Sequence, residues 1–201
     1  MFQPVSRRSQ LLAVALDLMD ERGVRGASMR ELARRAGVDV RSAYYHFESK
    51  RDLLRALFEQ AGYLEPLDPA ILAALRSMSR EDAMTAIIKG NLDLLHNRAR
   101  QSRLIHAEVL VGDKDAKTVG RELWDRWGAQ LEALVDAGRI VPAPKVGAFA
   151  RQLRSLLWGI FNESQLTGEL EDPARRKARS KEVARVLLPS RRRTNPGRAR
   201  T

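Results

Sequence analysis

The chain has 201 residues, 44% of them hydrophobic, no cysteine, and a formal net charge of +11 at pH 7. Such a composition suits one sizeable folded domain, or a small domain joined to a larger one, and excludes a disulfide framework, a thiolate nucleophile and a cysteine-based zinc site. The charge is uneven, at +3 over residues 1–60, −2 over 61–172 and +10 over 173–201, so the basic total alone says little about nucleic acid.

The opening MFQPVSRRSQLLAVALDLMDERG mixes acids into its apolar residues and lacks a small-residue cleavage site, so it does not read as a signal peptide. It predicts a helix from about Arg7 to Arg22 that buries Leu11, Leu12, Ala15, Leu18 and Met19 and stops at Gly23. Ser28, with Glu31 three residues on, has the capping-box pattern of a second helix that turns Leu32 and Ala33 inward and ends near Ala36–Gly37. Asp39 caps a short third helix over 40–46, and Ser49 caps a fourth that runs to about Tyr63. Pro66 and Pro69 then punctuate the chain. Beyond them helical periodicity recurs over 69–77, 80–97, 99–112, 114–137, 145–168 and 173–188, with a proline loop in GRIVPAPK. No segment has the alternation of a strand, and no run nears the ~18 apolar residues of a membrane span. The expectation is an all-α protein of the cytoplasm, ending in a basic segment, 189–201, with the composition of a solvated tail.

Residues 28–46 have the layout of a helix-turn-helix: a capped helix of about eight residues, Ala-Gly-Val, then an Asp-capped second helix. Gly37 permits the tight turn, and Ala33, Val38 and Ala43 are small enough for the helices to approach closely. A helix placed this way can enter the major groove, with Val40, Arg41, Tyr44 and Tyr45 facing outward. Arg reads guanine through O6 and N7, and Val meets a thymine methyl. Ser42, Tyr44, His46 and Lys50 carry donors suited to phosphate oxygens, and Lys50 with the opening amides of the fourth helix makes one compact anion site. Each residue also has a plainer reading: Phe47 as core, Tyr44 half-buried, His46 satisfying a carbonyl, and Arg30, Arg41 and Lys50 as solvated charges. No Ser-His-Asp grouping is visible, and His96, His106 and Glu108 have no metal-ligand spacing, so no enzyme, metal centre or cofactor is expected.

The stretch 7–58 resembles the DNA-binding domain of TetR-type (tetracycline-repressor-like) transcriptional regulators. RRSQLLAVALDLMDERG, SMRELARRAGV and, above all, YYHFESKRDLL carry the likeness. The resemblance implies phosphate contacts for Tyr44, His46, Lys50 and Ser42, the last standing where Thr is usual. It implies base or groove contacts for Val40, Arg41 and Tyr45, a base or phosphate contact for Arg30, and a core role for Phe47. Ala43 departs from the commoner Leu, which trims packing beneath the recognition helix.

The resemblance further implies a division into 1–48, the DNA-binding domain, 49–188, a larger helical ligand-binding and dimerisation domain, and the 189–201 tail. In such regulators the later helices form an effector cavity and a twofold interface. His106, Trp124, Trp127, Trp158, Asn162 and Gln165 are the candidates for the cavity, since buried polar groups need partners. Leu153, Leu156, Leu157, Ile160, Val183, Val186 and Leu187 are the candidates for the interface, with Gly159 allowing close approach. Leucine and tryptophan at these spacings are also plain core. The implied partners are a double-stranded, roughly palindromic operator, a small-molecule effector and a second copy of the chain, acting together in repression. The rival is a helix-turn-helix protein that works as an interaction module or without an effector.

Overall fold

In the computed structural model, which describes residues 6–188, ten α-helices follow one another, and no strand occurs among the described residues. They are α1 (Arg7–Gly26), α2 (Met29–Ala36), α3 (Val40–His46), α4 (Lys50–Gln60), α5 (Pro69–Ser77), α6 (Arg80–Asn97), α7 (Ala99–Leu110), α8 (Lys114–Ala137), α9 (Val146–Thr167) and α10 (Pro173–Leu187). The basic segment 189–201 lies outside the described residues.

Four caps set the register of the N-terminal helices. The side chains of Ser6, Ser28, Asp39 and Ser49 each accept an amide hydrogen bond three residues on, which satisfies one of the donors a helix start leaves open. Glycines at positive φ follow two of these helices, Gly37 after α2 and Gly62 after α4. At Gly37 (φ 65°) the Val38 amide reaches back to Ala33 O at 3.0 Å. The sequence extends α4 to Tyr63, but it ends at Gln60, because Gly62 turns left-handed and the Tyr63 amide closes on Phe58 O at 2.9 Å. A second departure lies in α1. Gly23 does break it (φ 70°, ψ 169°), yet a further turn follows as far as Gly26. GRIVPAPK is not wholly loop either, since Ala143–Lys145 forms a 3-10 turn.

The described chain divides into two compact units. One contains the residues up to Asp68 together with Asn97–Glu132, and the other Pro69–His96 together with the residues from Ala133 onward. In the first, Leu11, Leu12, Leu18, Met19, Leu32, Phe47, Leu54 and Phe58 form a core with almost no exposure, joined by Leu104, Ile105 and Val119 from α7 and α8. The helix-turn-helix is therefore built on one continuous apolar cluster with α7 and the start of α8. Ion pairs rim this unit: Arg100 meets Asp17 and Asp20, Arg51 meets Asp115, and Arg55 meets Glu122. In the second unit the inner residues of α6, α9 and α10 are buried, among them Met84, Ile88, Leu153, Leu157, Phe161 and Val183. Arg176 is buried with them, bonded to Asp93 at 2.7 Å, to Glu171 O at 3.2 Å, and to Leu170 O.

Candidate DNA-binding interface

The seven-residue α3 is too short to stand alone, since an isolated helix of that length has no stability of its own in water. Its ends and inner face hold it. Asp39 accepts from the Ser42 amide at 2.8 Å, and the Phe47 amide closes on Ala43 O at 3.1 Å. Ala43 and Phe47 are both fully buried. Arg8 of α1 lies over the Phe47 ring, 5.2 Å from its centre, and sits 3.8 Å from Glu59. Sequence spacing gives no sign of this lid, because it depends on where α1 crosses the end of α3.

With that face anchored, the opposite face is open. Val40, Arg41, Tyr44 and Tyr45 are exposed, Tyr45 at 85% and Tyr44 at 50%. Ser42 and His46 are half-buried beside them, and the Tyr45 and His46 rings meet edge-on at 5.3 Å. A large ring left this exposed gains nothing for the fold. Arg30 is exposed near the start of α2.

The α2 framework is ionic. Ser28 accepts from the Glu31 amide at 3.1 Å, but the Glu31 carboxylate turns to arginines. Arg34 donates twice, at 2.7 and 2.9 Å, Arg35 once at 3.3 Å, and Arg22 of α1 lies 3.5 Å away. Arg35 continues to Glu21 at 2.6 Å. The Arg34 hydrogen bond, helped by Arg35 and Arg22 against a smaller burial cost, holds the Glu31 carboxyl down at about 2.

Lys50 differs from its expected arrangement. Its ammonium donates to Val24 O at 3.0 Å, across 26 residues, at the α1 kink. The opening of α4 also carries its own carboxylate, since Asp52 accepts from the Glu48 amide at 3.2 Å. Lys50 and the opening amides thus do not form one compact anion site. An ammonium has three N–H donors, so two of those on Lys50 remain for a phosphate.

The six cavity candidates fall in the two units, three in each. His106, Trp124 and Trp127 are half-buried in the first, with the two indoles edge-on at 5.6 Å. Trp158, Asn162 and Gln165 belong to the second. There Asn162 donates to Trp158 O at 2.8 Å, and Trp158 packs on Phe161 with centres 5.3 Å apart. Of the interface candidates, Leu153, Leu157, Ile160 and Val183 lie in the chain's own core, which leaves them little surface for a second copy. Leu156 and Val186 are exposed and Leu187 is half-buried. The helical pattern groups all seven because it reports apolarity, and apolarity does not say which neighbour covers a face.

A capped helix-turn-helix on a dry core, with arginine, tyrosine and valine turned outward from its second helix, defines a DNA-binding protein of the all-α class. Residues 11–57 match the model of bacterial regulatory proteins of the tetR family. The chain is 27% identical over 176 residues to the HTH-type transcriptional repressor KstR2 of Mycolicibacterium smegmatis, covering 78% of each. It is 49% identical over 49 residues to the class A tetracycline repressor protein from transposon 1721 of Escherichia coli, covering 24% of this chain and 23% of that one. The transcriptional regulator FadR from Bacillus subtilis, solved in complex with stearoyl-CoA, has a similar fold, with TM-score 0.61 and 19% identity over 90% of this chain and 97% of that one. Residues 11–57 thus form a DNA-binding domain of tetR type, and the likenesses together support a TetR-type regulator.

Proposed function

We propose that this protein is a homodimeric repressor of the cytoplasm that binds a roughly palindromic operator and is released by a small-molecule effector. The observation that carries the reading is the split of α3. Ala43 and Phe47 anchor it in the core, while Val40, Arg41, Tyr44 and Tyr45 are left facing outward. Arg41, Val40 and Tyr45 face base edges or the groove wall. Ser42, Tyr44, His46, Lys50 and Arg30 contact phosphates and set the register, Arg30 alternatively reaching a base. Residues 1–48, with Lys50 just beyond them, hold the DNA-contacting part and 49–188 the regulatory part, while the basic segment 189–201 has the composition of a solvated tail and is a candidate for nonspecific attraction to DNA.

Two copies related by a twofold axis straddle the operator with recognition helices one turn apart, about 34–36 Å. The repressor name of KstR2 supports repression, and the stearoyl-CoA complex of FadR supports a small-molecule effector. His106, Trp124 and Trp127 in one unit and Trp158, Asn162 and Gln165 in the other are the candidate effector contacts. Leu156, Val186 and Leu187 are the candidates that still have surface for a second copy. The effector acts only in so far as it prefers one of the two states.

Selection of bound duplexes from a random pool should return an inverted repeat, and Lys50→Ala should then lower the log–log salt slope of binding by about one. A selected site without internal symmetry would argue against the twofold. An unchanged slope would confine Lys50 to its bond with Val24. If no compound in a ligand screen releases the selected duplex, a regulator without an effector becomes the better reading.

A further inference from the structure

At Gly23, α1 leaves helical geometry in a conformation (φ 70°, ψ 169°) that only glycine adopts without strain. The Ala27 amide still reaches back to Gly23 O at 3.2 Å, so the chain makes one tight turn and runs directly into the Ser28 cap of α2. Three neighbours from the same unit hold this turn. From α4, Lys50 donates to Val24 O. From the α7–α8 turn, Val111 O accepts from Arg25 at 3.5 Å, and Asp113 lies 3.8 Å from Arg25 Nε. Asp113 is buried and also caps α8, accepting from the Ala116 amide at 2.8 Å. From α7 itself, the buried Glu108 carboxylate covers Gly23, so closely that a Cβ placed there would stand 2.7 Å from Oε1. No ion pair reaches that carboxylate among the described residues, so it acts on the turn by contact.

We propose that Glu108, Arg25 and Lys50 are positioning residues for DNA binding, which hold the α1 kink and through it the angle at which α2 and α3 meet the duplex. Glu108 and Asp113 flank the α7–α8 turn, so a movement of that turn reaches the helix-turn-helix through α1 as well as through α4. Lys50 then has two tasks, one at the kink and one at the phosphate. Glu108 has the first alone, which makes it the cleaner probe.

The test uses the full chain and a duplex that the wild type selects from a random pool. Glu108→Ala is expected to weaken binding about tenfold at fixed salt, with the log–log salt slope unchanged because no phosphate contact is lost. Glu108→Gln keeps the volume and should restore affinity to within about threefold of wild type. Gly23→Ala should also weaken binding. Adding Glu108→Ala to it should recover part of the loss by removing the clash, a non-additivity that independent sites do not give. Amide exchange supplies a reading that needs no DNA: Glu108→Ala should speed exchange over residues 24–29 and leave α9 unchanged. Wild-type affinity in Glu108→Ala, a changed salt slope, strict additivity with Gly23→Ala, or unchanged exchange over 24–29 would each overturn the proposal. Failure of the wild type to retain any duplex would count against DNA binding instead, and the exchange measurement would still decide the kink.

Discussion

The aromatic run Tyr44–Phe47 separates by residue into two environments. Phe47 is sealed under Arg8, whereas Tyr45 stands almost fully in water against the edge of His46. That split is legible in the sequence, because seven residues of capped helix leave room for one inward stripe and Ala43 already marks it. The bond from Lys50 to Val24 is not legible, since it depends on a backbone kink 26 residues away. Glu31 carries a prediction at this scale. Its folded value is depressed from 4.5 to about 2, so its contribution is present above the unfolded value and is lost as pH falls from about 4.5 towards 2. The α1–α2 clamp should loosen across that window, and Glu31→Gln should remove this part of the acid transition. Thermal melts of both proteins between pH 5 and pH 2, at ~0.5-unit steps, read the difference. Parallel acid curves would show that the Arg34 and Arg35 bonds do not matter to stability.

Among the elements, helix starts and stops are where sequence chemistry speaks most directly. Ser28, Asp39, Ser49 and Gly37 act as their residue types dictate. Asp39→Ala should cost about 1 kcal/mol of stability, a usual value for a lost N-cap. Its effect on operator affinity should be larger than that loss implies, because the uncapped turn holds Val40 and Arg41. Equal operator binding at equal fraction folded would contradict this. Helix α9 supports a second prediction. A Cβ at Gly159 would meet nothing within 4 Å, and Leu156 and Leu166 are exposed on the same helix, Leu166 at 90%. Gly159→Leu should therefore leave the chain folded while obstructing a mate that packs there. If the proposed dimer uses this face, sedimentation should find the variant shifted towards monomer relative to the wild type, and no shift would count against this face as the interface.

For the molecule as a whole, burial decides questions that helical periodicity leaves open. Arg176 lies in the strongly basic stretch 173–201, where the plain expectation is a solvated charge. It is instead buried, ties α10 to Asp93 of α6, and holds the Leu170 and Glu171 carbonyls. Arg176→Ala should lower stability by about 2 kcal/mol, less than the roughly 3–5 of a fully buried pair, because Asp93 keeps Lys89 and some water. A urea midpoint that falls with the slope unchanged would confirm it, and a midpoint unmoved would mean that the buried guanidinium contributes nothing net. The all-α class, the order of the helices, the caps at Ser28, Asp39, Ser49 and Gly37, and the outward face of α3 were determined by the sequence alone, because they rest on spacing and residue type within a few positions. Tertiary structure alone decided that Leu153, Leu157, Ile160 and Val183 fill the chain's own core, that Lys50 reaches α1, and that Glu108 covers Gly23. These contacts join segments far apart in the chain, and no local pattern says which apolar or charged face meets which.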